Sequence, residues 1–483
     1  MLTSVSVFCF SLFLMTQRHT LASYIAAVQA GTIDPAMYIA ESLTKAQILN
    51  EQYNAFVRFH PEVFQSLSPS ISQSPLAGAP IAIKDNILTA WYIASSGSKM
   101  LADFVSPYDA TCYRNLVAHG GVMIGHTNMD EFAMGSSGEN SAFGPTINPH
   151  GINRVPGGTS SGSAVAVASG MVLGALGTDT GGSVRQPASF CGIVWLKPTY
   201  GAVSRYGVTA HASSFDQVGV LTQTVSDAEI LFDAIKWYDP QDSTSVDHHR
   251  DKRALSLQWL RIGVPKQYIG EGLDPRIKSL FLENIEKMKA QWAIVVDIDM
   301  PLLETALAVY YILVPSEVSG NMARYDGIRY GTSDDTTRYE SHAAYIGAMR
   351  ATWLGDEVIR RILLGAHILS ASEYEWLFVK AMDLRTVVTQ QMIDHFTHDV
   401  DVIMGPASPI LPWKIGEKVN DPLAMYLADI YTIVVNICGI PAISIPMGTV
   451  MDGDEELPVW LQIMGKHWSE YQLLSVGKEI EKM

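Results

Sequence analysis

Cysteine is scarce in this 483-residue sequence: only Cys9, Cys112, Cys191 and Cys438 occur, with no CxxC pair and no neighbouring histidine cluster. That spacing excludes a disulfide framework and a structural zinc site, and it fits a reducing, cytoplasmic compartment. Basic residues are also few. Thirty-three Lys and Arg stand against 49 Asp and Glu, a formal net charge of −16. A surface of that sign repels phosphate backbones, so an RNA substrate would be held by a partner rather than by this chain. The phosphate-loop pattern GxxxxGK[ST] is missing, as is a carboxylate cluster suited to a metal. Long apolar runs are missing too. The apolar stretch 5–15 is too short for a bilayer helix. Its first charge, Arg18, follows the stretch, whereas a secretory signal carries positive charge ahead of it. Residues 1–19 therefore read as an extension before a helix starting near Thr20, and no membrane association is expected.

What is present belongs to a globular protein. Hydrophobic residues make up 48% and charged residues 17%, enough to bury a large core. Apolar residues at three- and four-residue spacing predict helices over 21–30 and 35–51. Short runs that are apolar on both faces follow, at 80–84, 122–125, 171–174, 402–405 and 442–445. Such runs suit strands covered on both sides by helices, so the pattern predicts a three-layer α/β/α sandwich around a mixed sheet. Residues 239–253 read as an exposed polar loop. Residues 255–397 read as mainly helical, apart from a short strand at 262–265.

Two glycine- and hydroxyl-rich clusters carry the chemistry. The first runs PGGTSSGSA from Pro156 to Ala164, and the second GTDTGGSVRQP from Gly177 to Pro187. A single cluster of this kind is usually a capped turn. Two of them, joined through an apolar element and preceded by a lysine at the end of a buried run, point further. A serine hydroxyl needs a neighbour to take its proton. Lysine can do so only as the neutral amine, although its free pKa is about 10.4. The apolar wall 80–83 and a helix starting near Ser161 both disfavour the ammonium at Lys84.

With these residues, the chain resembles the amidase signature family. That family places a cis-serine 75 residues after its lysine and 24 before its nucleophile, and Thr159 keeps that spacing between Lys84 and Ser183. The resemblance runs from about Thr20 to the C-terminus as one amidase domain. Within the family it is nearest to the A subunits of tRNA-dependent amidotransferases. The supporting stretches include AIKDNI (82–87), TNMDEFAMGSS (127–137), KPTYG (197–201), RYDGIRYG (324–331) and DPLAMY (421–426). The resemblance implies Ser183 as nucleophile, Lys84 as base and Thr159 as proton relay. The backbone N–H groups of Thr180, Gly181, Gly182 and Ser183 would form the oxyanion hole. One departure stands out: threonine replaces the family's relay serine, which keeps the hydroxyl but adds a methyl and stiffens χ1. In addition, Ser161-Gly162 replaces the Gly-Gly pair that follows.

The resemblance further implies glutamine as substrate, its carboxylate held by Arg361 and its ammonium by Asp429, with Tyr310 as a third contact. It implies B and C partner subunits, tRNA contacted mainly through them, and ATP and Mg²⁺ bound there, with no cofactor in this chain. Two alternatives stay open. A stand-alone amidase would need an apolar pocket and have no use for the Arg361–Asp429 pair. A non-catalytic scaffold would find its only support in Thr159.

Overall fold

The structure, a computed structural model, describes residues 18–151, 153–248, 252–419 and 421–483. The expected apolar extension therefore lies almost wholly outside the described residues. Eleven strands form one mixed sheet in the order β1-β3-β2-β4-β6-β5-β10-β11-β9-β7-β8. They are β1 (Phe56–Phe59), β2 (Pro80–Lys84), β3 (Val122–Thr127), β4 (Gly174–Asp179), β5 (Val194–Lys197), β6 (Gln217–Thr222), β7 (Arg261–Pro265), β8 (Ile294–Ile298), β9 (Val402–Pro406), β10 (Ala442–Asp452) and β11 (Glu455–Met464). Strand β2 lies between β3 and β4 and runs parallel to both. Strands β6, β5, β10, β11 and β9 continue antiparallel, and the parallel β9-β7-β8 group closes the far end. Helices cover the sheet in the α/β/α arrangement that the doubly apolar strand runs predict, and β2, β3, β4, β5, β6 and β9 are buried along their whole length.

The expected helices form at Leu21–Gln29 and Pro35–Tyr53. Thr20 and Asp34 cap them by accepting from Ser23 N and Met37 N, and Pro35 occupies a first-turn position where its missing N–H costs nothing. Three expectations need correction. The run 171–174 is not a strand: Gly170 turns the chain at φ +69°, Met171 to Leu173 are a buried bend, and β4 begins only at Gly174. The loop 239–253 is not wholly exposed. Asp239 is buried and accepts from Thr111 Oγ1 (2.6 Å) and Ser204 Oγ (2.7 Å), while residues 249–251 lie outside the described set. The helical region also contains a second strand, β8, an edge strand with mostly half-exposed residues.

Candidate active site

Strand β2 delivers Lys84 into the interior. Its five residues are buried, and the lysine itself is fully buried. Lys84 Nζ lies 2.7 Å from Thr159 Oγ1, 2.9 Å from Ser160 Oγ, 2.9 Å from Thr178 Oγ1 and 3.4 Å from Thr178 O. All its side-chain partners are hydroxyls. A hydroxyl accepts from an ammonium but can equally donate to a neutral amine, so this shell does not require the charged form. Burial lowers the Lys84 pKa to about 7, against the upward pull of Asp130, Asp179 and Asp216.

Thr159 stands on the turn before the helix Ser161–Ala168, whose N-terminus is therefore beside the lysine. The Gly158–Thr159 peptide is cis. Ser160 donates its N–H to Ser183 O (2.9 Å), so the two clusters found in the sequence meet directly. The second cluster is a loop between β4 and the helix Arg185–Phe190. Its framework is Asp179, which sequence reading did not single out. The Asp179 carboxylate accepts from Gly182 N (3.0 Å), Val184 N (3.1 Å), Arg185 Nε (3.0 Å), Arg185 Nη2 (2.9 Å) and Asn436 Nδ2 (2.9 Å). Arg185 and these hydrogen bonds hold Asp179 well below the usual carboxylate range despite burial. Opposite charges six residues apart in an otherwise uncharged motif were the signal that could have revealed the pair. Both side chains are fully buried, so removing either one would leave the other charge uncompensated.

The loop's glycines are set by what crosses above them. A Cβ on Gly181 would lie 2.4 Å from the Tyr310 ring, and one on Gly182 would lie 2.3 Å from Thr432 Oγ1. Gly182 also has φ +137°, which side-chain-bearing residues rarely adopt. Of the expected oxyanion donors, the Gly182 N–H is committed to Asp179. The N–H groups of Thr180, Gly181 and Ser183 form no hydrogen bond among the described residues. Thr180 instead anchors the loop through its side chain, Oγ1 donating to Asp216 Oδ1 (2.6 Å).

The remaining expected residues gather over this loop. Tyr310 is buried in the helix Leu303–Met322 and lies against Gly181. Arg361 and Asp429 both act electrostatically on Tyr310 and on each other. Arg361 is buried, and its Nε donates to Glu357 Oε1 (2.8 Å), one turn earlier in the helix Asp356–Ile368. Its guanidinium sits 5.5 Å from the Tyr426 ring centre and 6.0 Å from that of Tyr311. Tyr426 OH donates to the same Glu357 oxygen (2.8 Å). Sequence reading missed this Glu357 brace. The two terminal nitrogens of Arg361 donate to no described residue. The Asp429 carboxylate accepts from Ser136 Oγ and from Gln186 Nε2 (2.9 Å). Burial raises its pKa to about 7, while the Ser136 hydrogen bond, Arg361 and Arg185 pull it down.

The amidase family model matches residues 38–474. The chain belongs to the amidase family. It is 43% identical to the A subunit of glutamyl-tRNA(Gln) amidotransferase from Chromohalobacter salexigens, over 96% of both chains. It is 48% identical to the corresponding A subunit from Methanosarcina mazei, over 85% of both chains. Among solved structures it resembles the A subunit of glutamyl-tRNA(Gln) amidotransferase from Thermotoga maritima, with a TM-score of 0.79 at 36% identity, covering 95% of this chain and 94% of that one. Amidases of this family hydrolyse carboxamides, and the hydroxyl-ringed lysine beside a serine loop is the part of this structure suited to that reaction. Among the described residues, no helix is long and apolar enough to cross a membrane.

Proposed function

We propose that this amidase is the glutamine-hydrolysing A subunit of a tRNA-dependent amidotransferase. One observation carries the substrate assignment: a buried arginine and a buried carboxylate both sit by the Gly181 loop, Arg361 through the edge-to-face Tyr311 and Tyr310 rings and Asp429 through Thr432, whose hydroxyl bonds both Gly181 O and Asp429 O. A fatty or aryl amide has no charge to pair with either. Free glutamine has both, a carboxylate matched to the planar Arg361 fork and an ammonium matched to Asp429.

The mechanism follows from the proton inventory. Neutral Lys84 takes the Thr159 hydroxyl proton as Thr159 takes that of Ser183. Ser183 Oγ then attacks the carboxamide carbon, and the carbonyl electron pair moves onto oxygen. The N–H groups of Thr180, Gly181 and Ser183 stabilise that oxyanion, each donor being worth about 3–4 kcal/mol in comparable acyl transfers. The relay returns a proton to the leaving nitrogen, and ammonia departs from a γ-glutamyl ester on Ser183. Water, deprotonated through the same relay, releases glutamate.

Ammonia made here is useful to a partner that activates Glu-tRNA(Gln), and the acidic surface of this chain suits delegation of the tRNA. In this reading ATP and Mg²⁺ belong to that partner, the B and C subunits complete the enzyme, and the assembly is cytoplasmic. The test is to purify the chain alone and with co-expressed B and C subunits. Ammonia release from glutamine and Gln-tRNA(Gln) formation would be measured for each. The proposal expects both activities in the complex. Hydrolysis of apolar amides without glutamine turnover would replace it with the stand-alone reading.

A further inference from the structure

Gln186 is fully buried three residues after the nucleophile, and it is occupied at both ends of its amide. Its Nε2 donates to Asp429 Oδ1 (2.9 Å), and its Oε1 accepts the N–H of Gly158 (3.0 Å), the residue before Thr159. The amide orientation is fixed by chemistry, since a carboxylate can only accept and a backbone N–H can only donate. We propose that Gln186 is a specificity-determining positioning residue, which aims the Asp429 carboxylate at the substrate ammonium while braced against the relay loop. The inference rests on the reading of Asp429 as the ammonium partner and adds the residue that prepares it.

The physical case is the cost of an unassisted carboxylate. Asp429 is almost fully buried, and burial alone favours its neutral form, which cannot pair an ammonium. The groups facing it are Ser136 and Gln186 through hydrogen bonds, Arg361 and Arg185 as cations, and Asp179 as a like charge. The Tyr310 and Tyr311 rings lie within the same field. Arg361 is shared with Glu357, and Arg185 with Asp179. Ser136 and Gln186 are therefore the direct donors that hold the carboxylate, and of these only Gln186 also reaches the relay loop.

Gln186→Glu is the informative variant. It keeps an acceptor for the Gly158 N–H and replaces the donor to Asp429 with a second carboxyl. Gln186→Met removes both links and serves as the second variant should the first fold poorly, with thermal unfolding of the purified complex as the control. Two substrates separate the roles: glutamine, and glutaramate, the same amide without the ammonium, used as substrate or as competitive inhibitor. We expect Gln186→Glu to lower kcat/KM for glutamine at least tenfold, mainly through KM, and to move its acid limb to higher pH. Glutaramate should change by less than about threefold. Equal losses on both substrates would make Gln186 a general loop brace and overturn the proposal, as would no loss on either. Asp429→Asn is measured alongside. If it fails to discriminate the two substrates, the ammonium reading itself falls and this inference with it. If it discriminates and Gln186→Glu does not, only the inference falls.

Discussion

Lowering the pH should impair glutamine hydrolysis more steeply than hydrolysis of the same amide without its ammonium. The base must be neutral to accept a proton, and burial places Lys84 at about 7. Asp429 must be ionised to pair the ammonium, and it also titrates at about 7. Falling pH defeats both, because it charges the lysine and neutralises the carboxylate. The value of kcat/KM reports the free enzyme, so for glutamine it follows the product of the two fractions. Between pH 7 and 6 each fraction drops from about a half to about a tenth, giving a loss of about 30-fold for glutamine. For glutaramate only the Lys84 condition remains, and the loss is about fivefold. Asp130 and Asp216, which also act on Lys84, are raised by burial to about 6, so their protonation affects both substrates alike and the difference between the two slopes reports Asp429. Once glutamine is bound, its ammonium holds Asp429 ionised, so kcat should show the shallower, single-proton slope. The assay is ammonia release across pH 5.5–8.5 at fixed ionic strength, with Asp429→Asn as a control that should reduce the glutamine slope to that of glutaramate. Equal slopes for the two substrates, or a flat profile through pH 7, would refute the reasoning.

The same geometry sets other outcomes. Thr159→Ser should keep or raise turnover, whereas Thr159→Val keeps the shape, loses the hydroxyl that Lys84 touches, and should cost about 10²-fold in kcat. Lys84→Arg should be as inactive as Lys84→Ala, since guanidinium cannot act as a base near neutral pH. Gly181→Ala should impair activity through collision of its Cβ with the Tyr310 ring, and Tyr310→Ala should partly relieve that defect in the double variant. Arg361→Ala should lower kcat/KM for glutamine by about 10²-fold or more, because it leaves the substrate carboxylate without its cation and Glu357 with Arg360 alone.

The central strands were legible where a run is apolar on both faces, as in β2 and β9, because burial from both sides leaves no alternation to mistake. Strand β8 was not legible, since an edge strand with half-exposed residues inside a helical region gives neither pattern. The run 171–174 misled because its side chains are buried, and composition reports burial rather than backbone state. In the candidate site, Lys84, Thr159 and Ser183 were marked by two hydroxyl-rich clusters and by the family resemblance, and the structure brings Lys84, Thr159 and the Ser183 loop together. The residues that hold them were not. Asp179, Gln186 and Glu357 act through partners as distant in sequence as Asn436, Asp429 and Tyr426. Nothing local marks a glutamine whose two ends will meet a carboxylate and a turn. The Gly182 N–H is committed to Asp179 only three residues earlier, but residue type alone does not say which loop N–H turns to that carboxylate.

The most direct test of the account is to trap the covalent step. The purified complex would be quenched in acid during glutamine turnover and its peptides examined by mass spectrometry. The account predicts a γ-glutamyl ester on the peptide carrying Ser183, absent from Ser183→Ala, which should also lose at least about 10³-fold of its ammonia release. Unmodified Ser183 during active turnover, or a Ser183→Ala variant that still releases ammonia at a comparable rate, would contradict it.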